Sequence, residues 1–215
     1  VDRCFAFIIA VPTPVYDTRR PNYERLDAAV LNTLHLANEE KLIVISSTIG
    51  PGTTKRIAGE SQSSWFAHVP ERLSAGKLWK NFHKLPRVIG GLTPSATELA
   101  GFLYEFVSPG YEIMLTDALT AEIVKTAENA YRDVQIAFAH ELSWICEDFG
   151  ADFWQVRNMV NTAPGRDVHS ASAGVGGHCL TKDSKLLISE FGFDSFPLIR
   201  SARMTNNAQP ERIAC

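Results

Sequence analysis

Short apolar runs alternate with amphipathic segments in the first half of the chain. The runs FAFIIAVP and LIVISS are apolar at almost every position, which is typical of strands buried on both faces of a parallel sheet. Residues 25–40 and 94–107 instead repeat apolar side chains at helical spacing, and 51–60 reads as a turn followed by a short helix. Strands that alternate with helices predict a parallel α/β sheet. Its predicted strands are residues 5–12, 42–47, 65–70, 86–91 and 112–116.

The pattern changes after Asp117. Residues 118–149 contain neither proline nor glycine and keep one apolar face, which predicts a single helix of about nine turns. Further helices are predicted at 151–162, 180–191 and 195–207. We therefore expect an α/β part, an all-helical part and the start of a linker, with bounds of 1–117, 118–207 and 208–215.

Composition and charge narrow the function classes. The 215 residues are 45% hydrophobic and 21% charged, with a formal net charge of -3, the balance of an ordinary globular protein. Such a charge provides no basic field for nucleic acid and no polybasic patch for a membrane surface. Apolar runs stay well short of the roughly 20 residues that a membrane helix requires. We expect no signal peptide either, and the cytoplasm is the expected compartment.

The cysteines are widely spaced. None of them forms a C-x-x-C pair or the spacing of zinc ligands, so we expect no metal site. A disulfide framework does not suit a chain of this size without a secretory signal. They are Cys4, Cys146, Cys179 and Cys215.

One of these cysteines follows a glycine cluster, in the stretch GVGGHCLTKD at 174–183. Gly176 and Gly177 allow backbone conformations closed to other residues and let a ligand approach the main chain. If Lys182 or a helix N-terminus lies near the sulfur of Cys179, the nucleophilic thiolate is favoured. Neighbouring His178 is not favoured as its base, because adjacent side chains in a loop often point apart.

Lys125 and Asn129 form a second candidate site on the long predicted helix. Their spacing of four residues puts both side chains on one helix face. One interpretation is a solvated surface pair, since such pairs are common on helices. The other is a cation and an amide that bind one ligand oxygen together. Spacing alone does not decide between them.

Polar residues also follow three predicted strands. Pro12 and Thr13 come after the first strand, Thr48 after the second and Glu71 after the third. Ligands of open α/β sheets bind at the carboxyl ends of the strands, so these side chains converge on one crevice if the strands are neighbours. The alternative is that each residue belongs to a plain strand-terminating turn.

Together these segments resemble the nucleotide-sugar 6-dehydrogenases, which act on UDP-glucose, GDP-mannose and UDP-N-acetylhexosamines. The resemblance runs in order from about residue 5 to about residue 210. It implies the second half of a Rossmann-like parallel sheet domain, followed by an all-α middle domain like the C-terminal domain of 6-phosphogluconate dehydrogenase. The matching motifs are IIAVPTP, SSTIGPGTT, VPERLSAGK, PRVIGG, AEIVKTAENAYRDVQIAFAHEL and GVGGHCLTKD.

The resemblance implies an NAD-dependent, four-electron oxidation of a sugar C6 alcohol to a carboxylate. Cys179 would capture the aldehyde intermediate as a thiohemiacetal, and a second hydride transfer would give a thioester that water hydrolyses. A thiolate adds readily to an aldehyde, so the residue suits this role. The family also packs its long helix against a partner subunit, which implies a homodimer or higher oligomer through 118–149.

Site roles are carried over from the family residue by residue. Lys125 and Asn129 would stabilise the oxyanion and orient water, Glu71 would serve hydrolysis or positioning, and Asp183 would act as acid or base. Thr48 would contact the catalytic water and the nicotinamide end. The implied cofactor contacts are Pro12, Thr13, Thr48 and Lys182. The implied substrate contacts are Glu71, Arg72, Leu73, Lys125, Asn129, Gly176 and Gly177.

Departures from the family pattern favour one branch. Ala75 stands where UDP-glucose enzymes carry a second acidic residue, and His178 precedes the cysteine in place of serine. Both features resemble the UDP-N-acetylhexosamine dehydrogenases, including those of N-acetylmannosamine and N-acetylgalactosamine. A UDP-glucose or GDP-mannose dehydrogenase remains the alternative enzyme.

The resemblance also leaves parts of the family unmatched. The glycine fingerprint G-x-G-x-x-G and the ribose-binding acidic residue are absent from the sequence, so we expect the first βαβ unit to precede residue 1. A C-terminal nucleotide-binding domain is expected after residue 215. We therefore expect a fragment that is weakly active or inactive alone, and a non-catalytic dimerisation module is the alternative from another class.

Overall fold

The chain divides into two compact units, Val1–Thr126 and Ala127–Cys215. The computed structural model describes residues 4–16, 20–36, 40–59, 65–72, 85–107, 109–191 and 193–214, with only the backbone at 193. Leu73 therefore lies outside the described residues.

A five-stranded sheet with strand order β1-β2-β3-β4-β5 forms the centre of the first unit. The strands β1–β2, β2–β3 and β4–β5 pair in parallel, which confirms the α/β class. The expectation that every strand is parallel is wrong at one pair, because β4 runs antiparallel to β3. An apolar run is equally well buried beside a neighbour of either direction, so the sequence pattern carries no information on this point. The strands are Ala6–Ile9, Leu42–Ile45, Trp65–His68, Arg87–Gly91 and Ile113–Asp117.

Both faces of the sheet are covered by apolar side chains. Ile43 and Ile45 point to a core shared with α1 (Glu24–Leu36), and Leu42 and Val44 point to a core shared with α3 (Pro94–Val107). Successive residues of a strand face opposite sides, so β2 is apolar at every position because it is buried twice. The short helix α2 (Thr53–Ala58) follows β2.

The glycines that end β4 are required by close packing. A Cβ atom on Gly90 would lie 2.2 Å from the backbone oxygen of Asp117, and one on Gly91 would lie 2.4 Å from the backbone nitrogen of Thr97. Such distances are far inside van der Waals contact, so only glycine fits between β4 and its neighbours.

The long helix α4 (Ala118–Phe149) begins in the first unit and continues into the second. Its bounds confirm the helix predicted from the apolar face. The second unit also contains a short 3₁₀ helix at Phe193–Ser195 and three α-helices. These helices are α5 (Phe153–Val160), α6 (Leu180–Leu187) and α7 (Pro197–Ala214).

A buried polar network joins α4 to α7. Arg203 donates to the carboxylate of Asp133 at 2.7 Å, and Asn206 donates to the same oxygen at 2.8 Å. His140 donates through Nδ1 to the amide oxygen of Asn206 at 2.9 Å. Burial lowers the pKa of His140 and raises that of Asp133. Removing one partner would leave a buried charge unpaired, so this network fixes how the two helices pack.

Candidate active site

The ends of β1 and β2 are bound to each other by side chains. Thr13 donates through Oγ1 to the backbone oxygen of Thr48 at 2.6 Å. Ser47 donates to the backbone oxygen of Val11 at 2.8 Å and accepts from the Val11 amide at 2.8 Å. Two of the three predicted strand ends thus lie together, and the Thr13 hydroxyl holds the Thr48 segment in place. Pro12 remains exposed beside them.

Glu122 binds the N-terminus of α2 from the first turns of α4. Its carboxylate accepts from the Gly52 amide at 2.5 Å, from the Thr54 amide at 2.7 Å and from the Thr54 hydroxyl at 2.6 Å. Burial raises the pKa of Glu122, and these three hydrogen bonds oppose that effect. Sequence reasoning missed this residue, because its partners lie nearly 70 positions away along the chain. Glu122 ties the loop after β2, which carries Thr48, to the helix that carries Lys125.

Lys125 is buried, with 9% of its surface exposed. This burial excludes the interpretation of Lys125 as a solvated surface residue. Burial is the main reason that the pKa of nearby His68 is lowered to about 4, and the charge of Lys125 contributes in the same direction. His68 donates through Nδ1 to the backbone oxygen of Ile45 at 2.9 Å. The ring is therefore neutral at neutral pH, and its proton resides on Nδ1 because a carbonyl oxygen can only accept.

Glu71 lies just after β3 and is paired with an arginine. Arg87 donates through Nη1 to Oε2 of Glu71 at 3.1 Å, and 47% of the Glu71 side chain is exposed. Its neighbour Arg72 donates to the backbone oxygen of Pro86 at 2.8 Å. Both predicted substrate contacts are therefore anchored on the segment that begins β4. The spacing of residues had given no sign of Arg87 as the partner of Glu71.

Cys179 occupies the residue that precedes α6, with its side chain exposed. The backbone oxygen of Cys179 accepts from the amides of Lys182 at 3.1 Å and Asp183 at 2.9 Å, which closes the first turn of α6. Gly177 has a φ of +83°, a conformation that glycine adopts without strain. A Cβ atom on Gly176 or Gly177 would meet no atom within 4 Å, so the backbone of the loop is open where a side chain would stand.

Asn129 joins α4 to α6 within the second unit. It donates through Nδ2 to Oδ2 of Asp183 at 2.6 Å, and Asp183 is only 1% exposed. Buried Lys182 lies beside the same carboxylate, with Nζ 3.9 Å from Oδ1. The amide of Asn129 is therefore bound to a carboxylate inside the protein, one helical turn from the cysteine.

The described candidate residues fall into two groups, one in each unit. Within the ranges that the structure describes, no cluster of three potential metal ligands occurs, and no helix is long and apolar enough to cross a membrane. The first unit holds Pro12, Thr13, Thr48, Glu71, Arg72 and Lys125. The second unit holds Asn129, Gly176, Gly177, Cys179, Lys182 and Asp183.

Comparison with known proteins identifies relatives of both units. The NAD binding domain of the UDP-glucose/GDP-mannose dehydrogenase family matches residues 1–108, and the central domain of that family matches residues 119–208. An NDP-N-acetyl-D-galactosaminuronic acid dehydrogenase of Ralstonia nicotianae is 36% identical over 97% of this chain and 52% of its own length. A UDP-N-acetyl-D-mannosamine dehydrogenase of Pyrococcus horikoshii is 38% identical over 95% of this chain and 50% of its own length.

A solved structure shows the same fold. The UDP-D-ManNAc dehydrogenase of Pyrococcus horikoshii superposes with a TM-score of 0.92 at 36% sequence identity, over 99% of this chain and 52% of that chain. The chain spans about half the length of the curated relatives it matches.

Proposed function

Since this chain belongs to the UDP-glucose/GDP-mannose dehydrogenase family, we propose that it carries the catalytic part of a UDP-N-acetylhexosamine 6-dehydrogenase. The reaction is an NAD-dependent, four-electron oxidation of the C6 alcohol to a carboxylate, in the cytoplasm. One observation carries the catalytic role: Cys179 is exposed at the start of α6, and Asp183, one turn later, is bound to Asn129.

Cys179 forms the covalent intermediates. When bound, NAD supplies the acceptor for the hydride of each of the two oxidations. The sulfur of Cys179 adds to the aldehyde carbon, and the carbonyl oxygen takes up a proton to give a thiohemiacetal. Loss of the C6 hydrogen as hydride and of the hydroxyl proton then gives a thioester. Water attacks this thioester, the carbon–sulfur bond breaks, and the thiolate of Cys179 leaves.

Polar groups stabilise the charges that develop in this reaction and move its protons. Lys125 supplies a positive charge to the oxyanion, and burial strengthens that interaction relative to water. Asn129 and Asp183 orient water and move its proton during hydrolysis. Glu71 supports the same step, and Arg72, Gly176 and Gly177 contact the sugar nucleotide.

The carboxyl ends of β1 and β2 fit a dinucleotide. In open α/β sheets the ligand crevice lies at this edge, and here Thr13 fixes the Thr48 backbone while Pro12 stays exposed. We assign the cofactor contacts to Pro12, Thr13 and Thr48, with Lys182 as a further contact from the second unit.

The N-acetylhexosamine branch is favoured over the UDP-glucose or GDP-mannose branch. The relatives with 35–38% identity are named as dehydrogenases of UDP-N-acetylmannosamine and NDP-N-acetylgalactosaminuronic acid. Ala75 and His178 agree with that branch. A second acidic residue in place of Ala75 would have favoured UDP-glucose.

We also propose that the protein forms a homodimer or higher oligomer through α4. Within the second unit, large apolar side chains of this helix are exposed at intervals of seven, seven and four residues, which places them along one side of the helix. An apolar stripe of this kind marks an interaction surface. Its members are Tyr131, Phe138, Ile145 and Phe149.

The test is the stoichiometry of NADH release by the full-length protein. It is offered a panel of UDP-N-acetylhexosamines, UDP-glucose and GDP-mannose, and we expect two NADH for each UDP-N-acetylhexosamine consumed. We expect the Cys179→Ser variant to stop after the first oxidation or to accumulate the aldehyde. One NADH per sugar would contradict the thioester route, and full activity of Cys179→Ser would remove Cys179 from the mechanism. Absence of turnover with every sugar would favour the alternative, a dimerisation module without catalysis.

A further inference from the structure

The antiparallel pairing of β3 and β4 brings the segment after β3 alongside the start of β4. In this register Ala67 lies opposite Gly91 and His68 lies opposite Gly90. Continuing the same register three residues beyond His68 places Glu71 opposite Arg87. Because β3 itself ends at His68, the contact observed there, from Arg87 Nη1 to Glu71 Oε2 at 3.1 Å, joins the first residue of β4 to the segment that follows β3.

Arg87 is fixed independently of Glu71. Its backbone amide donates to the backbone oxygen of Glu112 at 2.7 Å, and only 12% of its side chain is exposed. The guanidinium lies 5.0 Å from the ring centre of Tyr111 and 5.7 Å from that of Tyr104. Burial raises the pKa of Tyr104, so the guanidinium meets a neutral phenol. An arginine held by two rings loses little further freedom when it binds a carboxylate.

The same segment holds the residue after Glu71. Arg72 donates to the backbone oxygen of Pro86 at 2.8 Å. Pro70–Arg72, Leu85–Arg87 and Tyr111 line a small, partly open pocket with a volume of about 10 Å³. That space is enough for about one water.

We propose that Arg87 is a positioning residue, which orients the carboxylate of Glu71 for the hydrolysis of the Cys179 thioester. This inference rests on the proposed function, because it requires Glu71 to act in that step. Arg87 binds one oxygen of the carboxylate and so restricts the conformations open to the Glu71 side chain. A misplacement of about 1 Å in such a group costs about 100-fold in rate.

The chain offers a matched control for this arrangement. Arg56 also binds a carboxylate, that of Asp27 at 2.9 Å, and also lies over a tyrosine ring, that of Tyr23 at 5.2 Å. Arg56 is on the exposed surface of α2 and has no part in the proposed reaction. Arg87→Lys and Arg56→Lys therefore remove the same planar fork from two arginines that each bind a carboxylate and lie over a tyrosine, although Arg56 is the more exposed of the two. Only Arg87 touches a proposed catalytic group.

The experiment measures NADH release and covalent intermediates in the full-length protein. We expect Arg87→Lys to lower kcat about 10- to 100-fold with KM nearly unchanged, and to accumulate the Cys179 thioester in acid-quenched mass spectra. Arg56→Lys should leave kcat unchanged. In the Glu71→Gln background, Arg87→Lys should have little further effect, because the group it orients is already lost.

Three results would overturn this inference. The first is a wild-type kcat in the Arg87→Lys protein. The second is that Arg87→Lys lowers kcat as much in the Glu71→Gln background as it does in the wild type. The third is a fall in kcat that tracks a fall in melting temperature and leaves no thioester, which indicates a structural role alone. Failure of the proposed function differs from all three, because the wild type itself would then oxidise no nucleotide sugar, and this inference would fall with it.

Discussion

Protonation of His68 should control the acid stability of the sheet unit. His68 is fully buried, its Nδ1 proton is donated to Ile45, and burial lowers its pKa from 6.5 to about 4. In the unfolded chain the ring takes up a proton near pH 6.5, whereas in the folded chain it does so only near pH 4. The unfolded state therefore binds more protons in this window, and the free energy of unfolding falls as the pH falls from 6.5 to 4. A difference of about 2.5 pKa units corresponds to roughly 3 kcal/mol.

The matched substitution is His68→Asn. The amide nitrogen of asparagine can take the place of Nδ1 and donate to the Ile45 oxygen, while the titrating ring is removed. The smaller side chain leaves space in the core, so we expect a loss of about 1–2 kcal/mol at pH 8. Between pH 6.5 and pH 4 the wild type should lose roughly 3 kcal/mol more than the variant, so the two proteins should become equally stable or change order.

The assay is urea unfolding of both proteins at intervals from pH 8 to pH 4, followed by tryptophan fluorescence. His35→Asn, on the exposed surface of α1, is the control and should give a curve parallel to that of the wild type. Other acidic and histidine groups titrate in all three proteins, so the difference between curves isolates His68. Parallel curves for the wild type and His68→Asn would refute the assignment of this acid sensitivity to His68.

Three further predictions follow from single contacts. Glu122→Gln should lower the free energy of unfolding by about 2–4 kcal/mol, because the single amide oxygen of glutamine cannot accept from both backbone donors at the α2 N-terminus. Chemical unfolding at pH 7 measures this loss. Iodoacetamide should modify exposed Cys179 in the native protein and buried Cys146 only after unfolding, as read by peptide mass spectrometry. Gly90→Ala should cost about 3 kcal/mol or more, seen as a large fall in melting temperature, since its Cβ would overlap the Asp117 oxygen.

Each of these predictions has a control within the chain. Glu105→Gln, on the exposed surface of α3, should leave stability unchanged, and an equal loss there would remove the special role of Glu122. Exposed Cys4 gives the labelling rate of an accessible thiol, and a Cys179 that reacts no faster would argue against activation by its loop. Gly176→Ala should be tolerated because its Cβ meets nothing within 4 Å, whereas equal losses at both glycines would contradict the packing argument.

Periodicity predicted the helices and strands but not the direction of every strand. The limits of α3 and α4 agree with the predicted 94–107 and 118–149, because both helices have a strong apolar face and few breaking residues inside. The antiparallel β3–β4 pair was missed, since direction depends on the connection between the strands and not on their composition. The Arg87–Glu71 contact was missed with it, because that contact joins the segment after β3 to the first residue of β4.

Burial decided the cases that spacing left open. Lys125 could have been a surface cation on spacing alone, and only its burial shows otherwise. Glu122 could have been a solvated acid, and its contacts with α2 depend on a loop nearly 70 positions away along the chain. Neither long-range contact leaves a local pattern in the sequence. The candidate residues at the strand ends were found because strand polarity alone places them at the same edge.

The carboxylate of Glu122 occupies the amide donors at the N-terminus of α2, where a phosphate group could otherwise bind. The amides of Gly52 and Thr54 form the sort of pocket in which oxyanions of nucleotides commonly settle. In this chain an internal anion already fills it, and a second negative group would meet repulsion there. Any diphosphate bound by this domain must therefore find its amide donors elsewhere than in residues 50–54.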